Sequence, residues 1–168
     1  MGNKNPNTEE IIRLKKQESE FKKQAVLSVL KELELFLNHK FDHIIRPNQT
    51  HSSNVKIIKE DNIYDPLEDT DAVITNLKNV ALVTISADCQ NIIVYDKEKE
   101  VIANVHSGWK GTLNKILSKT INLMIKEFNT NPKDIIIYIS PSIQKCCFEV
   151  GEQLAKELNM PLLVSIPI

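Results

Sequence analysis

Asn91-Ile92-Ile93-Val94-Tyr95-Asp96-Lys97-Glu98-Lys99-Glu100-Val101-Ile102-Ala103-Asn104-Val105-His106-Ser107-Gly108-Trp109-Lys110-Gly111 is the stretch from which the fold reads. Two apolar, β-branched runs flank the polar break Asp96–Lys99, whose length suits a hairpin, so residues 91–96 and 101–106 are expected to pair antiparallel. Unbroken apolar lettering, as in Ile92–Tyr95, predicts strands covered on both faces. From about Gly111 to Phe128, Leu113, Ile116, Leu117, Thr120, Ile121, Met124, Ile125 and Phe128 recur as one stripe, which predicts a single amphipathic helix.

Upstream, residues 41–46, 55–59, 71–75 and 80–85 read as further strands, with loops at 48–53 and 60–70. Downstream, Asn131-Pro132 ends the helix, 134–140 reads as a buried strand, 141–147 as a loop and 149–158 as a short helix. Residues from about 7 to 39 read as an N-terminal helix, with Val26, Val29, Leu30, Leu33 and Leu37 at three- and four-residue spacing. A row of strands followed by helix, strand and helix argues an α+β sandwich over an alternating barrel. With no internal repeat or linker, residues 1–168 are expected to form a single domain.

The apolar content of 42% excludes global disorder. A net charge of −1 argues against a nucleic-acid binder, and no apolar run approaches the length of a membrane span. No apolar leader is visible at the start, so the expected location is cytoplasmic. The three cysteines read as thiols or metal ligands, and Cys146 and Cys147, being adjacent, are poor disulfide partners for each other.

Among the four histidines, His39 and His43 read as structural or solvated. His51 lies in the polar loop after Pro47-Asn48-Gln49-Thr50. His106 ends an apolar strand and opens Ser107-Gly108-Trp109-Lys110-Gly111, where two of the chain's four glycines allow close backbone approach before a helix start suited to an anion. Cys89 ends another strand between Asp88 and Gln90. A free cysteine is commonly a small core residue. If the strands ending at Cys89 and His106 are neighbours, a thiolate and two imidazoles make a zinc set with an open fourth position, which Cys146 or Cys147 would fill in a closed site. Trp109 reads either as a core residue or as the wall of a pocket for a planar ligand.

Ser86-Ala87-Asp88-Cys89-Gln90-Asn91-Ile92 and Val101–Gly111 closely resemble the core signature of the laccase-domain family, also called multicopper polyphenol oxidases or purine nucleoside phosphorylases of the YfiH type. Gln49-Thr50-His51, Asp71-Ala72-Val73-Ile74-Thr75, and Ser140-Pro141-Ser142-Ile143 through Cys146-Cys147-Phe148-Glu149-Val150-Gly151 resemble three further family blocks in the same order. The resemblance implies a layered α/β/β/α sandwich with mixed sheets, shared with cytotoxic-necrotizing-factor toxins. It implies that His51, Cys89 and His106 bind a catalytic zinc, with copper the assumption behind the older oxidase label. It implies phosphorolysis of adenosine, inosine or methylthioadenosine, with adenosine deamination beside it, so purine nucleoside and phosphate are the expected partners.

Within that frame Lys110 is the candidate phosphate contact, Trp109 the pocket wall and Asp88 the candidate acid/base, beside Cys89 and His106. Two other readings stand: a metal-free enzyme with Cys89 as nucleophile and His106 as base, and a non-catalytic zinc-binding remnant. Departures from the family pattern are Ser52 for Gly, Gln90-Asn91 for Leu-Pro, Lys110 for Arg and Ser140 for Gly. Family members are longer at both ends, so the chain reads as a shortened form.

Overall fold

The computed structural model describes residues 8–144, 146–151 and 155–156. The chain divides into two compact units, Met1–Phe41 and Asp42–Ile168.

The first unit is the helix α1 (Thr8–Leu37) and its exit. Asn38 takes the left-handed conformation at φ 50° and closes the helix by a Schellman arrangement. The His39 N–H donates to the Glu34 carbonyl at 3.0 Å, and the Asn38 N–H to that of Leu35 at 3.3 Å. The Glu34 carboxylate then accepts from the Phe41 N–H at 2.8 Å, and the His39 and Phe41 rings meet edge to face. Ile12, Phe21, Val29, Leu35 and Phe36 are all exposed.

The second unit is built on a mixed five-stranded sheet. Its strands are β2 (Val55–Ile57), β3 (Ala72–Thr75), β5 (Gln90–Asp96), β6 (Val101–Ser107) and β7 (Ile135–Ile139), in spatial order β2-β3-β6-β5-β7. The hairpin β5–β6 pairs antiparallel, Asn91 opposite His106 and Asp96 opposite Val101. The Asp96 carboxylate closes the turn by accepting from the Glu98 and Lys99 N–H groups at 2.9 and 3.0 Å. Strands β1 (His43–Ile45) and β4 (Val80–Leu82) form a separate parallel pair.

Two apolar clusters separate these layers. Ala72, Ile74, Ile92, Val94, Val101, Ala103 and Val105 pack against Ile116 and Met124 of the helix α3 (Ile116–Phe128). Val73, on the opposite face of β3, packs with Ile58 after β2 and with Ile45, Val80 and Leu82 of the small sheet. The result is an α+β layering of helix, large sheet and small sheet.

Three expectations are corrected. Residues 111–128 are not one helix: α2 (Trp109–Leu113) stops, and α3 restarts after Lys115 at φ 56°. The Lys115 N–H returns to the Thr112 carbonyl at 3.0 Å, an i→i−3 bond, and the left-handed Lys115 backbone then ends the α-helical ladder of α2. Strand β5 is not covered on both faces. Ile92 and Val94 are buried while Ile93 and Tyr95 are 38% and 37% exposed, because only one face meets α3. Among the described residues strand β7 is an edge strand rather than a buried one: it pairs there only with β5, and Ile136, Tyr138 and Ile139 are more than half exposed. Most of the expected helix at 149–158 lies outside the described residues.

Candidate metal centre

Topology gathers the site at one end of the large sheet. Strands β3 and β5 run antiparallel to β6, so their first residues lie beside the last residues of β6. Strand β2 starts at the same end because it runs parallel to β3. Asp71 precedes β3, Cys89 precedes β5, His106 is the penultimate residue of β6, and the loop carrying His51 leads into β2.

The result is a His51–Cys89–His106 group whose ligand atoms lie within 4.8 Å of one another. The two imidazole rings meet edge to face, with centroids 5.0 Å apart. His106 is buried at 3% exposure, Cys89 is half-buried and His51 is exposed, so the group opens to solvent on one side. Cys146 and Cys147 are not part of the group. His39 and His43 are not members of it either; their rings meet those of Phe41 and Tyr64 edge to face.

Asp71 organises the cluster. It is fully buried, and its Oδ1 accepts from His106 Nδ1 at 2.7 Å and from the His51 N–H at 3.2 Å. Its Oδ2 accepts from the Thr50 N–H at 3.1 Å and from the Ser52 N–H and hydroxyl, each at 2.7 Å. Burial pushes the Asp71 carboxyl up. The bonds from His106, Ser52 and Thr50 outweigh that and hold it below the usual carboxylate range. With Nδ1–H donated to Asp71, the His106 Nε2 is left with its lone pair for a ligand.

In the sequence Asp71 was read as the start of a strand and of one family block, with no role of its own. A carboxylate directly before four fully buried residues was the available signal, since a buried charge needs a cluster of donors. The role of Gln49 was likewise not read. Its amide donates to the Ile85 carbonyl and accepts from the Ile85 N–H, both at 2.8 Å, tying the His51 loop to the segment that leads to Cys89.

Gly108 decides how tightly the group can close. A Cβ there would sit 2.7 Å from His51 Cδ2 and 3.1 Å from Cys89 Sγ. The Cys89 thiol is pushed up by burial and by the Asp88 and Asp71 carboxylates. Thiolate formation there calls for a nearby cation, and one thiol with two imidazoles is a zinc-type donor set. The residues therefore fit a bound divalent ion.

Asp88 is exposed beside Cys89, and its carbonyl accepts from the Ile143 N–H at 2.9 Å. Lys110 is exposed with its ammonium 5.4 Å from the centroid of the half-buried Trp109 ring. The helix that Lys110 occupies has five residues, so the anion-attracting dipole expected of a long helix is not available to it.

The sequence model of the family described as multi-copper polyphenol oxidoreductase laccase matches residues 16–162. A purine nucleoside phosphorylase of Clostridium acetobutylicum is 44% identical over 111 residues, covering 66% of this chain and 46% of that protein. A protein named adenosine deaminase RL5, from an unknown prokaryote, is 31% identical over 138 residues, covering 78% of this chain and 52% of its own length. Among solved structures, the YfiH protein of Bacillus licheniformis superposes with a TM-score of 0.69 at 26% identity, covering 84% of this chain and 56% of that one. YlmD from Geobacillus stearothermophilus gives the same TM-score at 21% identity, covering 82% and 54%. The chain spans about half the length of these relatives. No helix among the described residues is long and apolar enough to cross a membrane.

Proposed function

The chain belongs to the multi-copper polyphenol oxidoreductase laccase family, and from that premise we propose that it is a zinc-dependent purine nucleoside phosphorylase with adenosine deaminase activity beside it. The observation that carries the reading is the convergence of His51, Cys89 and His106 within 4.8 Å around an open side, with Asp71 holding His106. Relatives named purine nucleoside phosphorylase and adenosine deaminase supply the substrate class.

In this reading His51, Cys89 and His106 hold the ion, and Cys89 gives up its thiol proton on ligation. Zinc bound there would supply Lewis-acid polarisation of a water, a phosphate or a purine group. Asp71 keeps the His106 ring in one tautomer and orientation. Lys110 pairs with a phosphate oxygen, and Trp109 walls the purine. Phosphorolysis forms a bond between a phosphate oxygen and C1′ of the ribose as the bond to the purine nitrogen breaks. The attacking hydrogen phosphate gives up its proton as its oxygen bonds C1′, and Asp88 relays that proton to the departing purine nitrogen.

The linked positions of Asp71, His106 and Cys89 also have the connectivity of a metal-free nucleophile triad. Against that second reading, the Cys89 thiol is pushed up rather than down, the reverse of nucleophile activation. His51 also has no role in it.

The test is elemental analysis of chain purified without chelator, followed by adenosine and inosine turnover with and without phosphate. The expected result is about one zinc per chain and base release that requires phosphate. Inosine formed from adenosine without phosphate would report the deaminase arm. Cys89→Ala should lose zinc and turnover together. Turnover surviving in zinc-free Cys89→Ala refutes the metal mechanism, copper in place of zinc refutes the zinc assignment, and a zinc-loaded chain inert on both substrates refutes the enzymatic reading.

A further inference from the structure

Outside the metal centre, the two remaining thiols of the chain are brought together. Cys146 and Cys147 are both exposed and reduced, with their sulfurs 3.2 Å apart. Their turn is closed by the Cys147 and Phe148 N–H groups, which both donate to the Gln144 carbonyl at 2.9 and 3.0 Å. Upstream the same loop is fixed by the Ile143 N–H on the Asp88 carbonyl and the Ser140 N–H on that of Asn91, each at 2.9 Å. The two thiols therefore project together from an anchored turn, open to solvent.

We propose that Cys146 and Cys147 form a second site, a vicinal dithiol that chelates one thiophilic trivalent metalloid centre of the arsenous class. The spacing selects the class. With metal–sulfur bonds of about 2.3 Å, a tetrahedral ion needs its sulfurs roughly 3.8 Å apart and a linear two-coordinate ion about 4.6 Å. Sulfurs at 3.2 Å subtend close to a right angle at bonds of ~2.3 Å, the angle of a pyramidal three-coordinate centre that carries a lone pair. Adjacency along the chain keeps the second thiol at hand once the first has bound, which is where the chelate gains its affinity.

For an organoarsenic(III) oxide the step balances without oxidation or reduction. Two arsenic–sulfur bonds form, the arsenic–oxygen bonds break, and the oxide oxygen leaves as water with the two thiol protons. The site takes no residue from the His51–Cys89–His106 group, so it stands whether or not that group binds zinc.

The experiment titrates the full chain, reduced beforehand with a phosphine, with phenylarsine oxide, and follows intact mass and free thiols. One arsenical should bind per chain with loss of two thiols. A small 1,2-dithiol should reverse the binding where an equal concentration of monothiol does not. Cys146→Ser and Cys147→Ser should each weaken binding at least a hundredfold, while Cys89→Ser keeps wild-type stoichiometry and affinity. Ready reversal by monothiol, or wild-type affinity in either single serine variant, would overturn the chelate. Loss of binding in Cys89→Ser would move the site to the metal centre and overturn it equally.

Discussion

Replacing Gly108 with alanine places a carbon 2.7 Å from His51 Cδ2 and 3.1 Å from Cys89 Sγ. Carbon atoms in van der Waals contact lie about 3.5–4.0 Å apart, so His51 must retreat by roughly an ångström. Gly108 sits at φ −77°, ψ −178°, a backbone conformation alanine adopts freely, so the strain falls on the neighbours alone. The His51 backbone cannot follow cheaply: it is at φ 62° and, with Thr50 and Ser52, bonds to Asp71. The exposed ring therefore swings away from Cys89. Disturbing the shell around a metal ligand costs about 10–100-fold in metal affinity, or roughly 1.4–2.7 kcal/mol. Overpacking in a core costs about 1–3 kcal/mol, and an open side beside His51 puts the metal-free protein at the lower end. The assay is competition for zinc with a chromophoric chelator, beside thermal unfolding of metal-free Gly108→Ala and wild type. Unchanged zinc affinity in a folded Gly108→Ala protein would refute the convergence of His51 and Cys89 at Gly108.

Asp71→Asn should weaken zinc binding about 10–100-fold, because the amide nitrogen must face either the His106 ring and His51 N–H or the Thr50 and Ser52 N–H groups, and turns acceptance into repulsion there. The folded Asp71 carboxyl lies below its usual value of about 3.9, so its contribution to stability is present above about pH 4 and lost as pH falls through the lower folded value. Acid unfolding of the metal-free chain should be less steep below pH 4 in Asp71→Asn; identical curves would refute the assignment. Lys110→Ala should raise the phosphate KM roughly tenfold to over a hundredfold and leave the nucleoside KM nearly unchanged, with Lys110→Arg retaining most function; an unchanged phosphate KM would leave Lys110 only its contact with Trp109. His39→Ala and His43→Ala should leave bound zinc unchanged, read by elemental analysis. Lys115→Gly should stabilise the chain by about 0.5–1 kcal/mol in denaturant unfolding, since glycine takes the left-handed conformation at the α2–α3 break without steric cost.

The hairpin 91–106 was legible because two β-branched runs around a short polar turn are local properties of the chain, and its antiparallel pairing follows from the length of the break. The α+β class followed from element order for the same reason. His51, Cys89 and His106 stood out by their polar or glycine-flanked surroundings. Spacings of 38 and 17 residues match no compact metal motif, and the resemblance to the family joined the three. What the sequence could not carry is which ends of which strands meet. Only the order β2-β3-β6-β5-β7 puts the starts of β2, β3 and β5 beside the end of β6, and only then does Asp71 reach His106 across 35 residues. The edge position of β7 and the break at Lys115 were hidden likewise. Apolar letters record what a residue can bury, whereas neighbours distant in the chain decide what is buried, and the left-handed turn at Lys115 decides where a helix stops.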